Sequence, residues 1–443
     1  MVGSTGDAGV DAALAELAGA DPDAAEAART GFESLTWGQG LTAVTAHSLA
    51  DFLWYQLPCK WSGDIADKVR IAEALGALFA RVERPRYAAM CRSAATVEIL
   101  AAYEQQGEAA GRKAYRRALS ATGVEPPDIP GVLAWGTVMG VDEANAYHGA
   151  SAVLERAIDA GRLTPGGRGW RTTAGRITRG YLDSLHDDVT GTTWLQWLQT
   201  ERLQRWTESR GGARARMAGP LGDRLTNPVP APSDADRYLA PLRWLLDQAA
   251  GGAPLTRSGN LARAVVADGC QRFDWLAADN PRSEYDVEEL RAVRELARQL
   301  GAVRRSGTRL VLSQHGRELH QAATGTRWHA VAAALPGPGN GEAAAAEIAL
   351  MLMLTGPPAD RDLDPTVARV LTEEGWRDRR TGRALAPEQA TTLLRPLRQR
   401  LRVLGLESGV SPGGMPRLNE AGMAAAHTAL RERALRPRAR PPS

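Results

Sequence analysis

The stretch DVEELRAVRELARQLGAVRRSGTRLVLSQHGRELHQAA, residues 286–323, decides how this chain is read. Leu290, Val293, Leu296 and Leu300 recur at three- and four-residue intervals, which predicts an amphipathic helix closed at its last turn by Gly301. After it come Arg304, Arg305, Ser306 and Gly307, then Leu310 and Leu312. A Gly or Ser tip between short extended segments is the signature of a β-hairpin, and from Gln314 the pattern turns helical again.

A second stretch, LLRPLRQRLRVLGLESGVSPGGMPRLNEAGMAAAHTAL (393–430), follows the same template. Aligning Gly301 with Gly405 sets Leu290 against Leu394, Val293 against Leu397 and Leu300 against Leu404. With two extra residues in the second loop, Leu312 and Gly316 meet Leu418 and Gly422. Helix, glycine stop, hairpin and final helix form the back half of a winged helix. In such a module the middle helix enters a DNA major groove and the hairpin touches the neighbouring backbone. Pro396 removes one backbone donor from the second helix unless it lies in the first turn, so the second copy departs from the template there.

Upstream of the first copy lie the helix DRYLAPLRWLLDQAAGG (236–252) and APLTRSGNLARAVVADGCQRFDW (253–275). Leu255, Thr256, Gly259 and Leu261, followed by Leu290, Leu296, Leu300, Gly301, Leu310, Leu312 and Gly316, resemble an uncharacterised actinobacterial winged-helix region with a Leu-Thr-x-x-Gly-x-Leu opening. That region also occurs in proteins similar to a plasmid pRiA4b open-reading-frame family. The resemblance covers about residues 238–330, implies a fold, and carries no catalytic residue. The second copy lacks the opening motif.

The N-terminal half reads as helices. DIADKVRIAEALGALFARV (64–82) places Ile65, Val69, Ala72, Leu75, Leu78, Phe79 and Val82 at helical spacing, a helix from Pro85 runs on through Tyr103, and 111–123 and 142–161 end at Gly123 and Gly161. Residues 1–28, rich in Ala, Asp and Gly, read as a flexible leader, frayed or weakly helical, and 209–235, rich in Gly, Pro and Arg, as the linker. The expected organisation is mainly α: a helical domain over 30–208, winged-helix-like modules over 236–335 and 341–435, and a basic Pro-rich tail over 436–443.

A chain of 443 residues exceeds what one core ordinarily supports, and its 44% hydrophobic but 5% aromatic composition, weighted to Ala, Leu and Val, suits helices. With 54 basic and 51 acidic residues the net charge of +3 sets up no global field for a polyanion, so any such partner must be met locally. Cys59, Cys91 and Cys270 are widely spaced and form neither a disulfide framework nor a zinc pattern. No run of about 20 apolar residues marks a membrane span and no signal-peptide pattern opens the chain, so a cytoplasmic protein with no membrane partner is expected.

The chain contains no phosphate loop, nucleophile elbow, zincin motif or dinucleotide fingerprint. No cofactor, metal or catalytic residue is therefore assigned. Of the seven histidines only His186 lies among carboxylates, Asp183, Asp187 and Asp188, and with no partner motif they read as a solvated loop; His315 and His320 read as exposed. Most of the tryptophans at 54, 61, 194, 197, 206, 244, 275, 328 and 376 sit beside Leu or Val at helical spacing and read as core. Basic clusters remain: Arg304, Arg305 and Arg309 on the first hairpin, and Arg395, Arg398 and Arg402, with Arg400 among them, on the second copy's helix. Both have the composition of phosphate contacts. Arg291, Arg294 and Arg298 on the first copy's helix are instead mixed with Asp286, Glu288, Glu289 and Glu295, a pattern that favours protein contact. The sequence thus leads to a DNA-associated or regulatory protein contacting double-stranded DNA, and alternatively to a scaffold that binds a protein partner or forms a homodimer.

Overall fold

Alanine and leucine lose little side-chain freedom in a helix, and a chain built on them folds accordingly. The computed structural model describes residues 8–208, 212–275, 283–356, 362–410 and 416–437, and these are mainly helical. The chain divides into two compact units, one comprising residues up to Leu198 and the other Gln199–Arg436.

The first unit contains α1 (Ala8–Ala20), α2 (Pro22–Thr36), α3 (Ala46–Asp51), α4 (Leu57–Lys60), α5 (Ile65–Arg81), α6 (Pro85–Cys91), α7 (Ala94–Gln106) and α8 (Glu108–Thr122). It continues with α9 (Val141–Asp159), α10 (Trp170–Leu182) and a small antiparallel ribbon of β1 (Leu185–Asp187) and β2 (Thr192–Thr193). The boundary between the units falls inside α11 (Trp194–Glu208) rather than in the expected linker.

Two expectations fail here for local reasons. The supposed leader forms helix from Ala8, because Val10, Leu14 and Leu17 make an i, i+4, i+7 stripe buried in the same core as Phe32, Leu75 and Phe79. Asp21 then accepts the Ala24 amide at 3.0 Å and Pro22 opens α2. The helix expected from Pro85 to Tyr103 is interrupted at Ser93, whose hydroxyl accepts the Thr96 amide at 3.2 Å and caps a new helix.

The second unit contains α12 (Gly212–Ala218), α13 (Gly222–Thr226), α14 (Ala235–Ala250), β3 (Ala253–Pro254), α15 (Arg263–Phe273), α16 (Glu288–Gln299), β4 (Val303–Ser306), β5 (Arg309–Leu312), α17 (Gln314–Gln321) and α18 (Thr324–Ala334). After these come α19 (Asn340–Thr355), α20 (Leu363–Glu373), α21 (Pro387–Val403), β6 (Glu407–Val410), β7 (Pro416–Leu418) and α22 (Glu420–Ala434). In the first copy the strands form one antiparallel sheet in the order β3-β5-β4, with Val303 opposite Leu312 and Ser306 opposite Arg309. Gly307 takes φ 58° at the tip, where a side chain would be strained.

Of the expected linker, the described residues 212–235 are not open: α12, α13 and the turn between them bury Ala213, Arg214, Ala218, Leu221 and Leu225. Nor are the two copies separate domains. One hydrophobic core runs from Leu203 to Ala434; α16 packs on α21 and α18 on α22, and α19 is buried over its whole middle from Ala343 to Leu354. Leu255, Leu261, Val265, Val293, Leu296 and Leu312 lie in that core. Leu300 only packs at its edge, because it caps α16 where the chain turns away. The helix α21 continues through Pro396.

The sequence repeat has a three-dimensional counterpart in atomic detail. In the first copy the Ala302 amide bonds back to Ala297 O, the Ser313 amide donates to Ala302 O, and the Ser313 hydroxyl donates to Gly301 O and accepts the Gly316 amide. In the second, Leu406 bonds back to Leu401 O, and the Asn419 amide donates to Leu406 O. The Asn419 side chain donates to Gly405 O and accepts the Gly422 amide. Ser313 and Asn419 perform the same double task, stopping one helix and capping the next.

Candidate nucleic-acid interface

The Leu-Thr-x-x-Gly-x-Leu motif is a tight loop. Leu255 and Leu261 pair across its neck and are both buried, the Thr256 amide donates to Asn260 O at 2.7 Å, and Gly259 takes φ 86°. Glu284, nearly buried, accepts the Leu261 amide at 2.8 Å and forms an ion pair with Arg294 of α16; Arg294 in turn donates to Gly259 O at 2.7 Å. This pair ties the loop to α16.

Between that loop, α16 and the β4–β5 hairpin lies a cavity of about 560 Å³ lined by Arg291, Arg294, Arg298, Arg304 and Arg305. The lining carboxylates are Glu284, already committed to Arg294, and Glu295, 3.8 Å from Arg298. Arg291 and Arg298, two turns apart, fall on one exposed face of α16. Arg305 donates to Gly307 O at 2.9 Å, which fixes its stem along the hairpin.

Of the arginines the sequence singles out, only Arg304 and Arg305 come together here. Arg309 reaches the opposite way, to Gly252 O at 3.3 Å. Arg395 is exposed on α21, whereas Arg398 is tied to Asp364 of α20 with both side chains mostly buried. Arg402 lies 3.6 Å from Glu407, and Arg400 is buried between Leu335 O, at 3.0 Å, and Glu342, at 2.7 Å. Much of the second copy's basic cluster is thus internal bracing, and the two clusters do not merge into one face. At their closest, Gln399 of α21 lines the cavity and bonds to Glu288.

Arg291, Arg294 and Arg298 join the cluster although the sequence reading set them aside for their acidic neighbours. The i, i+3, i+7 spacing was the available signal. The carboxylates around His186 disperse: Asp183 pairs with Arg179, Asp187 closes its own turn through Val189 and Thr190, and His186 packs against Trp194 and Trp197. His315 and His320 lie 3.6 Å from Glu318 and Asp247. Among the described residues no group of three or more His, Cys, Asp or Glu could hold a metal ion, and no helix is long and apolar enough to cross a membrane. The tail 438–443 lies outside the described residues. Neither a family model, a curated protein nor a solved structure matches this chain.

Proposed function

We propose that the second unit is a fused pair of winged-helix-type modules, and that the protein associates with double-stranded DNA through the cleft between α16 and the β4–β5 hairpin. The order helix, strand, two helices and hairpin, with the sheet ordered β3-β5-β4, supports the module. The observation that carries the function is the convergence of five arginines and two carboxylates on one cleft, at the two elements that such a module lays against a duplex. Arg291, Arg298, Arg304 and Arg305 are the phosphate-facing groups; Arg294 is a positioning residue. Contacts of this kind act by releasing counterions, so affinity should fall steeply with salt and depend little on base sequence.

The test is a salt titration of the full chain on random duplex DNA. Replacing Arg298, Arg304 and Arg305 with Gln should weaken binding and flatten the slope of log affinity against log salt by about two to three units. The pair Arg395→Gln and Arg402→Gln, at positions that do not line the cleft, should leave the slope within about one unit of its starting value. Absence of binding at low salt would sink the proposal. A second reading, a protein partner, rests on the alternation of Glu288, Arg291, Glu295 and Arg298 along the exposed face of α16, which matches another protein's mixed charges better than a row of phosphates.

A further inference from the structure

We propose that the first unit holds a binding site for a small organic ammonium ion, in the cavity between the 125–128 loop, the 135–139 segment, α9 and the start of α10. The cavity measures about 370 Å³, within the range of small-molecule sites, and Trp135, Tyr147 and Trp170 supply aromatic walls. Glu125 and Asp128 face it as well.

The walls are built rather than incidental. The Trp135 ring meets Tyr147 edge-on, with centroids 5.2 Å apart, and its indole N–H donates to Pro127 O at 3.3 Å. Its amide donates to Asp128 at 2.8 Å, and the next amide, of Gly136, donates at 2.8 Å to the buried carboxylate of Glu143. The ring is thus held by Tyr147 and Pro127 and its backbone by Asp128 and Glu143, and it lines the cavity.

The charge is set for a cation. Glu125 is half-buried, and the loss of water around it pushes its carboxyl above the usual range. Burial, and after it the charges of Glu125 and Asp128, push the ionisation of the Tyr147 hydroxyl upward. Against these two carboxylates the lining offers one positive group, Arg171, whose guanidinium already stacks on Trp170 at 5.0 Å. The cavity thus carries one net negative charge, and one of its indoles already binds a cation face-on. Trp135 remains for an incoming one, backed by Tyr147, whose ring also meets His47 and His148. An ammonium ion whose alkyl groups lie against the rings gains cation–π attraction and apolar contact, and Glu125 recovers the solvation it lost.

Isothermal titration of the full-length chain with tetramethylammonium chloride, with sodium chloride at equal ionic strength as control, tests this. Saturable binding with Kd of about 1 mM is expected for tetramethylammonium only. Glu125→Gln, which keeps shape and removes charge, should weaken it about tenfold with an unchanged circular dichroism spectrum. Trp135→Phe, which keeps an aromatic face, should bind. In the parent, affinity should fall as the pH drops through the raised ionisation of Glu125, and this dependence should be weaker in Glu125→Gln, where Asp128 still faces the cavity. Tighter binding of glycine betaine than of tetramethylammonium would place a ligand carboxylate at Arg171; equal or weaker binding would assign the site to simple amines, and both support it. Heats that never saturate, or a folded Glu125→Gln that binds like the parent, overturn it.

Discussion

A Cβ at Gly316 would stand 1.8 Å from the Ala302 carbonyl oxygen, and one at Gly422 would stand 2.1 Å from that of Leu406. Neither oxygen can move, because each accepts a backbone amide from the helix cap opposite. Gly316→Ala and Gly422→Ala should each cost about 2 kcal/mol or more in urea unfolding, whereas Gly325→Ala, with open space around its Cβ position, should be neutral or slightly stabilising. Equal effects at all three sites would mean that the two locks do not exist. Glu347, 1% exposed, accepts from Trp206 at 2.6 Å and Arg433 at 2.8 Å and forms an ion pair with Arg214 at 2.9 Å, and the Arg214 side chain is itself wholly buried. Glu347→Ala removes a buried charge's partner and should cost about 3–5 kcal/mol. Glu347→Gln keeps one acceptor and should lose less, and a denaturation midpoint for each variant separates the two.

At the scale of elements, α3 packs against α9 with His47 between them, its ring 5.1 Å from that of His148 and 5.4 Å from Tyr147. Burial and the neighbouring His148 lower the His47 pKa to about 4, against the opposing pull of Asp51. The unfolded chain therefore binds this proton more readily than the folded one. The contribution of a neutral His47 is present above the ordinary histidine pKa and is lost as pH falls from about 6.5 through 4, on the order of 3 kcal/mol in all. His47→Phe should flatten the pH dependence of the unfolding midpoint over that window. A slope unchanged by the substitution would place the acid sensitivity elsewhere. In the second unit, the same helix–helix logic makes Arg398 and Asp364 a brace between α21 and α20.

For the molecule as a whole, the shared core changes what the repeat means. The faces that α16 and α18 present to α21 and α22 are apolar, so a fragment of residues 236–335 leaves them uncovered. That fragment should lack a cooperative unfolding transition or self-associate, while in the full chain both copies should unfold in one step, as judged by hydrogen exchange in α16 and α21. A cooperatively folded monomeric fragment would refute a shared core. Among the described residues the basic cleft lies on the first copy, since the second copy spends Arg398 and Arg400 on internal partners.

What the sequence determined by itself was local. Helical periodicity, the glycine stops at Gly301 and Gly405, the hairpin after each and the equivalence of Gly316 with Gly422 all rest on interactions within one copy of the repeat, and all reappear in the fold. The Leu-Thr-x-x-Gly-x-Leu loop was visible as a motif, but not Glu284, 23 residues beyond the Leu261 amide it holds. Tertiary structure decided which arginines are free. Arg398 finds its carboxylate 34 residues away and Arg214 one at a separation of 160, and no composition of a short window reveals such a partner. Residues 212–218 of the expected linker became helix for the same reason, because Arg214 is neutralised by Glu347 of α19 and by Glu374, just after α20. A charged side chain looks alike in every sequence until folding sets what stands opposite it, and burial then raises the worth of that pairing above anything local propensity supplies.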